Sequence, residues 1–167
     1  MAIPNHEIAQ VFVSDIRDKI NRHLSVGTSD IATAIVCRDM PAFRQAIASF
    51  LLESVSYFDS AAEGFYHGLT LGFLAILRNR FRVTSNGESG DGRFDLMLRP
   101  LLPGFAGYVV EVKAADSDAD DLKALAAAAL RQIDEKDYPA ALRAEGVADI
   151  VKLGLAYRHK RVELAVG

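Results

Sequence analysis

Ser89-Gly-Asp-Gly-Arg-Phe-Asp-Leu-Met-Leu-Arg-Pro100, followed after a short Pro/Gly segment by Gly107-Tyr-Val-Val-Glu-Val-Lys113, is the stretch whose reading decides the fold. From Arg93 to Pro100, Phe94, Leu96 and Leu98 alternate with Arg93, Asp95, Met97 and Arg99, the period of a strand with two distinct faces. Asp95 is therefore expected to point away from Phe94 and Leu96. In the second run, Tyr108, Val110 and Val112 share one face while Val109, Glu111 and Lys113 share the other. With Leu101 to Ala106 as the turn of a hairpin, Asp95 falls on the side that carries Glu111 and Lys113. Two carboxylates and an amine then converge.

Two acids beside a tight turn offer an all-oxygen site for Mg²⁺ or Mn²⁺, hard cations that favour carboxylate, carbonyl and water oxygens. A lysine among them can orient water and offset negative charge building on a phosphate. The competing reading is a cross-strand salt-bridge ladder on the surface, a common and weakly stabilising arrangement. Spacing alone leaves both open.

A resemblance favours the first. Asp95, followed 16 positions later by Glu111-Val112-Lys113, resembles the Asp…Glu-x-Lys signature of the PD-(D/E)XK nuclease superfamily. Four blocks occur in that order: Glu63-Gly-Phe-Tyr-His-Gly, Ser85-Asn-Gly-Glu-Ser-Gly-Asp-Gly-Arg-Phe-Asp, Glu111-Val-Lys, and Ala129-Leu-Arg-Gln-Ile with Tyr138 six residues after the glutamine. Together they resemble the superfamily domain usually found behind an AAA-ATPase-like region in bacterial proteins, and Ile3-Pro-Asn-His-Glu-Ile is similar to the seam after that region. Phe94 departs from the proline that often precedes the first acid. The resemblance implies a restriction-endonuclease-like core of α/β (α+β) class, a central mixed sheet flanked by helices, and metal-dependent hydrolysis of phosphodiester bonds in DNA or RNA, with DNA the first expectation. It implies that Asp95 and Glu111, with the backbone carbonyl of Val112, hold Mg²⁺ or Mn²⁺. Lys113 would position water, Gln132 would hold Lys113 or that water, and Glu63 would add an acid from the first core helix. It also implies an AAA-ATPase-like domain or protein as partner. The alternatives are an idle nuclease-like module that binds nucleic acid or protein, and an interaction domain whose amino-terminal helices form a homo-oligomer.

The composition bounds these readings. The chain has 167 residues, half of them hydrophobic, which suits one domain with a proper core. Residues 1–57 are expected as a helical extension and 58–167 as the nuclease-like core. The single cysteine, Cys37, excludes an intramolecular disulfide and fits a reducing cytoplasm; apolar neighbours suggest that it is buried. No stretch approaches the roughly 20 apolar residues of a spanning helix, and the amino terminus lacks signal-peptide regions. A net charge of −3 gives no general attraction for nucleic acid, so phosphate contacts must be local. Two basic groups stand out: Arg78, Arg80, Arg82, Arg93 and Arg99 around the signature strands, and Arg158-His159-Lys160-Arg161.

Helical periodicity predicts an amphipathic helix over 5–24, with His6 and His23 near its ends, and another over 39–57 with Pro41 in its first turn. Val26 to Ser29 reads as a turn. A third helix, capped by Asp59 or Ser60 and running to about Arg80, carries Glu63, Tyr66 and His67 on one face, and Phe65, Leu69, Phe73, Leu74 and Leu77 as its packing residues. Gly64, Gly68 and Gly72 form a small-residue groove suited to close packing; being inside a helix, they are no phosphate loop. Phe81 to Ser85 reads as a strand and Asn86 to Gly92 as a turn. Ser117 or Asp118 is expected to cap an Ala-rich helix with Leu122, Leu125, Ala129, Leu130 and Ile133 buried and Gln132 beside them. Tyr138 would close that helix or stack on a base. A short helical turn, 140–145, precedes two alternating runs, 150–157 and 162–166, read as a hairpin with His159 solvated at its tip.

Overall fold

The computed structural model of the chain describes residues 26–56 and 63–167. The expected helix over 5–24 and the Asp59/Ser60 cap lie outside the described residues. Three helices come first: α1 (Val26–Cys37), α2 (Met40–Ser54) and α3 (Glu63–Ala75), the last continuing as a 3₁₀ turn, Ile76–Asn79. Strands β1 (Phe81–Ser85), β2 (Glu88–Ser89), β3 (Gly92–Arg93), β4 (Leu96–Pro100) and β5 (Gly107–Ala114) follow. Helices α4 (Leu122–Glu135) and α5 (Ala140–Ala144) lead to β6 (Ile150–Arg158) and β7 (Arg161–Val166).

Five strands form one mixed sheet in the order β1-β4-β5-β6-β7, and β2 and β3 form a separate two-stranded arm. β4 and β5 are antiparallel neighbours, joined through the Leu101 to Ala106 turn as expected, whereas β5 and β6 run parallel with α4 in the crossover. This is an α+β architecture with helices on both faces of a mixed sheet, and it agrees with a restriction-endonuclease-like core.

One face is covered by α1, α2 and α3. Ile31, Ile35, Phe43, Ile47, Leu51, Tyr66 and Leu74 pack there in one cluster with Leu96, Leu98, Tyr108, Val110, Val112, Leu155 and Tyr157. The other face receives α4, which approaches closely at Gly154: a Cβ there would overlap the Ala126 carbonyl and the Leu130 amide. Leu122, Ala126, Ala129 and Ile133 are the buried residues of α4, while Leu125 and Leu130 are only half-buried.

Several expectations are corrected. Val26 to Ser29 is the first turn of α1, because a short polar run is a weak boundary signal when Ile31 and Ile35 must be carried into the core. Cys37, near the exposed end of α1, is half-buried and not buried. The strand expected from Arg93 breaks at Phe94 and Asp95: Phe94 N donates to Gly87 O and Asn86 N to Asp95 O, folding residues 86–95 back on themselves. Phe94 therefore packs with Met97 and Tyr138 on the α4 face and not with Leu96. Met97 is itself buried, because both faces of the sheet are covered.

On α3 the buried residues are Tyr66, Thr70, Phe73 and Leu74, so Phe65 and Leu69 flank the contact. Gly64, Gly68 and Gly72 do not pack closely; among the described residues, open space lies where their Cβ atoms would be. Asp121, not Ser117 or Asp118, caps α4 by accepting from Lys123 N, while Ser117 and Asp120 hydrogen-bond each other one turn earlier. His159 is not simply solvated: its Nε2 lies 3.2 Å from Asp118 Oδ1 and its carbonyl accepts from Tyr66.

Candidate active site

β5 outlasts its partner strand, and the site is built in the space that this leaves. The β4–β5 ladder reaches Leu96↔Val110, while β5 continues to Ala114. The Val112 N–H on that side has no strand to pair with, and a buried amide needs an acceptor. Asp95, just outside β4, supplies one: its Oδ2 accepts from Val112 N at 2.8 Å. The end of a ladder thus fixes the first carboxylate over the second strand. On the other side of Asp95, His67 Nε2 lies 3.3 Å from both the Asp95 carbonyl and Ser85 Oγ.

Glu111 is 2% exposed, among the few buried charged residues described. Its Oε1 accepts from Lys113 Nζ at 2.8 Å and from Gln132 Nε2 at 2.5 Å. Gln132 in turn lies 3.2 Å from the Tyr138 hydroxyl. Glu111 Oε2 is buried without a hydrogen-bond partner, which in a native interior calls for an explanation. Burial raises the Glu111 carboxyl above the ordinary carboxylate range, the Lys113 hydrogen bond opposes that shift, and the negative charges of Asp95 and Glu63 add to it. Burial acts to lower Lys113, yet its ammonium is held above the usual range by Glu111, Glu63 and Asp95. Glu111 and Lys113 therefore feel each other and the charges of Asp95 and Glu63.

The positions expected from sequence are largely brought together. Asp95 is bonded to Val112 N, and Lys113 and Gln132 are bonded to Glu111, two hydrogen-bonded sets side by side on β5, while Glu63 enters from the exposed first turn of α3. Gln132, expected to hold Lys113 or the attacking water, reaches the site and donates to Glu111, as its position on a helix packed across β5 allows. Tyr138 is buried against Phe94, which suits closing the helix and leaves no face for a base. Its hydroxyl contact to Gln132 was not legible, although the six-residue spacing was.

The β2–β3 arm adds a support that sequence reading took for a plain turn. Ser89 Oγ donates to Tyr138 O and accepts from Ala141 N, and Asp91 N donates to Lys136 O. Gly90, at φ +59°, lies against the Lys136 and Asp137 carbonyls, where a side chain has no room. The arm leading into Asp95 thus also holds the end of the helix that carries Gln132.

Among the described residues, no group of three or more His, Cys, Asp or Glu side chains forms a ready metal cluster. The fit to a hard cation rests on fewer groups, the Asp95 and Glu111 carboxylates, with a buried oxygen of Glu111 left open. Both are oxygen donors, as Mg²⁺ or Mn²⁺ requires. No helix among the described residues is long and apolar enough to cross a membrane.

A family model described as the PD-(D/E)XK nuclease superfamily matches residues 61–165, a span containing every residue of this site. No curated protein matches the chain.

Proposed function

The chain belongs to the PD-(D/E)XK nuclease superfamily, and from that premise we propose that it is a metal-dependent nuclease hydrolysing phosphodiester bonds of DNA, at a site made by Asp95, Glu111, Lys113, Gln132 and Glu63. The observation that carries the reading is the Glu111 carboxylate. One of its oxygens is held by Lys113 and Gln132, and the other is buried without a partner. A carboxylate kept dry costs stability, and a bound cation relieves that cost.

Asp95 and Glu111 would hold Mg²⁺ or Mn²⁺, with the Val112 carbonyl as a further oxygen, and the ion would supply charge stabilisation at the phosphate and a more acidic water. Val112 N–H keeps Asp95 turned over β5. Gln132 keeps the Glu111 plane from rotating, with Tyr138 behind it. Lys113, protonated at neutral pH, places a positive charge where the attacked phosphate gains negative charge. Glu63, exposed in the first turn of α3, would complete the acidic pocket.

Nicking of supercoiled plasmid with Mg²⁺ or Mn²⁺ tests the proposal. Cleavage should fall by about 100- to 1,000-fold in Glu111→Ala and Lys113→Ala, on the order of other residues that stabilise charge at the reacting centre. Cleavage undiminished in both variants would sink it. Calorimetric titration with Mn²⁺ separates a nuclease from an idle module, which should show no binding that depends on Asp95 and Glu111.

A further inference from the structure

The second basic group noted in the sequence, Arg158 to Arg161, lies at the same end of the sheet as the candidate active site. Lys113 is in register with Ala156 and Ala114 with Tyr157, so Arg158 stands just past the end of β5 in the neighbouring strand. β7 starts opposite it, at Arg161. Two strand spacings, about 10 Å, separate β5 from β7. Beyond the β6–β7 turn, around the free edge of β7, is a cavity of about 510 Å³. Its floor is apolar, from Ala48, Leu52, Leu122 and Val162, and cations stand around it.

The cavity also contains acids, and the balance depends on which charges are already engaged. Asp120 turns back to Ser117, Asp121 caps α4 by accepting from Lys123 N, and Glu163 faces Arg44 at 3.9 Å. Arg158 donates to the Asp118 and Asp120 carbonyls, and Lys160 donates to the Leu52 carbonyl. That leaves the Lys123 and Arg161 side chains, both exposed, with no hydrogen bond or ion pair among the described residues. Leu52 beside them is 63% exposed, an uncovered apolar surface next to two uncommitted cations.

We propose that this cavity is a second subsite for the same polymer, in which Lys123 and Arg161 bind backbone phosphates of the nucleic-acid strand a few nucleotides away from the bond that is cleaved. The inference rests on the nuclease reading, because it takes the ligand from there. What it adds is a direction: the strand leaves the catalytic carboxylates over the β6–β7 turn toward the β7 edge. It also accounts for how a chain of net charge −3 gains local attraction for a polyanion. Arg158 and Lys160 are parts of the wall, each anchored to backbone carbonyls.

The test measures binding without cleavage, so that it can fail independently of the catalytic proposal. The full chain is titrated without divalent metal, by fluorescence anisotropy, against a labelled single-stranded oligonucleotide and a blunt duplex over a range of NaCl. In Lys123→Ala/Arg161→Ala, Kd should rise roughly tenfold or more. The slope of log K against log salt should become shallower by about 1.4 for the single strand or about 1.8 for the duplex. The arm with the full loss identifies which form occupies the cavity. Arg78→Ala, which removes a cation at the opposite edge of the sheet, should leave both slopes in place. Equal effects from Arg78→Ala, unchanged Kd and slope in the double variant, or no binding of either oligonucleotide by the unmodified chain would each overturn the subsite. Plasmid nicking undiminished in both Glu111→Ala and Lys113→Ala while the double variant loses slope would remove the nuclease reading of this site and leave nucleic-acid binding in the cavity standing.

Discussion

The two faces of the sheet are built to different rules. On the face covered by α1, α2 and α3, buried hydroxyls form closed pairs: Thr70 donates to Tyr66 O and meets the Tyr157 hydroxyl at 2.9 Å, and Tyr108 donates to Ile35 O at 2.7 Å. Around them the core is one continuous apolar cluster. On the α4 face the apolar contacts divide into two smaller patches, and the same face carries Glu111, Lys113 and Gln132. There a buried carboxylate oxygen has no partner. The difference teaches where stability and chemistry are kept apart: on one face Thr70 and the buried tyrosine hydroxyls are paired, whereas on the other a charged carboxylate keeps one oxygen open, at a cost in stability.

If the division holds, mutations on the two faces should separate stability from activity. The largest effect on folding is expected from Ile47→Ala, which empties a fully buried site on α2. Thermal and urea unfolding should show a loss of about 2–5 kcal/mol, while nicking measured well below the melting temperature stays within about twofold. A parallel fall in activity would show that the faces are coupled.

Gln132→Ala should do the reverse. It frees the Glu111 carboxylate to rotate, and loss of a residue that orients a metal ligand typically costs 10- to 100-fold in activity or metal affinity, by order of magnitude. Unfolding should change by only about 1 kcal/mol, the net value of an ordinary hydrogen bond. Unaltered nicking would mean that Gln132 is packing alone.

The smallest effect is a pH signature of the closed face. Burial pushes the Tyr108 phenol up to about 12 from an ordinary 10.0, so its contribution to stability is fully present below pH 10 and is lost as the pH rises through about 12. Tyr108→Phe should cost about 1 kcal/mol at neutral pH and make the alkaline decline shallower in unfolding curves. An identical alkaline profile in the variant would assign that decline to other groups.

Much of this arrangement is legible in the sequence. The alternation in Gly107 to Lys113 placed Glu111 and Lys113 together, and the hairpin reading brought Asp95 to them, because strand periodicity and turn chemistry act over a few residues. Position on the α4 helix likewise placed Gln132 beside a buried stripe. What was missed depends on contacts between segments distant in sequence. The break at Phe94 comes from the β2–β3 arm folding onto α4, and the partner of Gln132 from how that helix crosses β5. The glycines of α3 looked like a packing groove because small residues permit close approach, but permission is not contact, and the helix packs by its other side.

The sequence by itself determined β5, the body of β4 from Leu96, the turn between them and the identity of the charged groups, since φ/ψ preference and side-chain period are local properties of the chain. Tertiary structure alone decided the rest. Where β4 stops short, Val112 N–H is exposed to Asp95; where α4 presses on Gly154, Gln132 is brought to one oxygen of Glu111 and the other is left dry and open. Burial and unmet hydrogen-bonding capacity exist only once distant segments have met, and these turn a pair of acids and a lysine into a site.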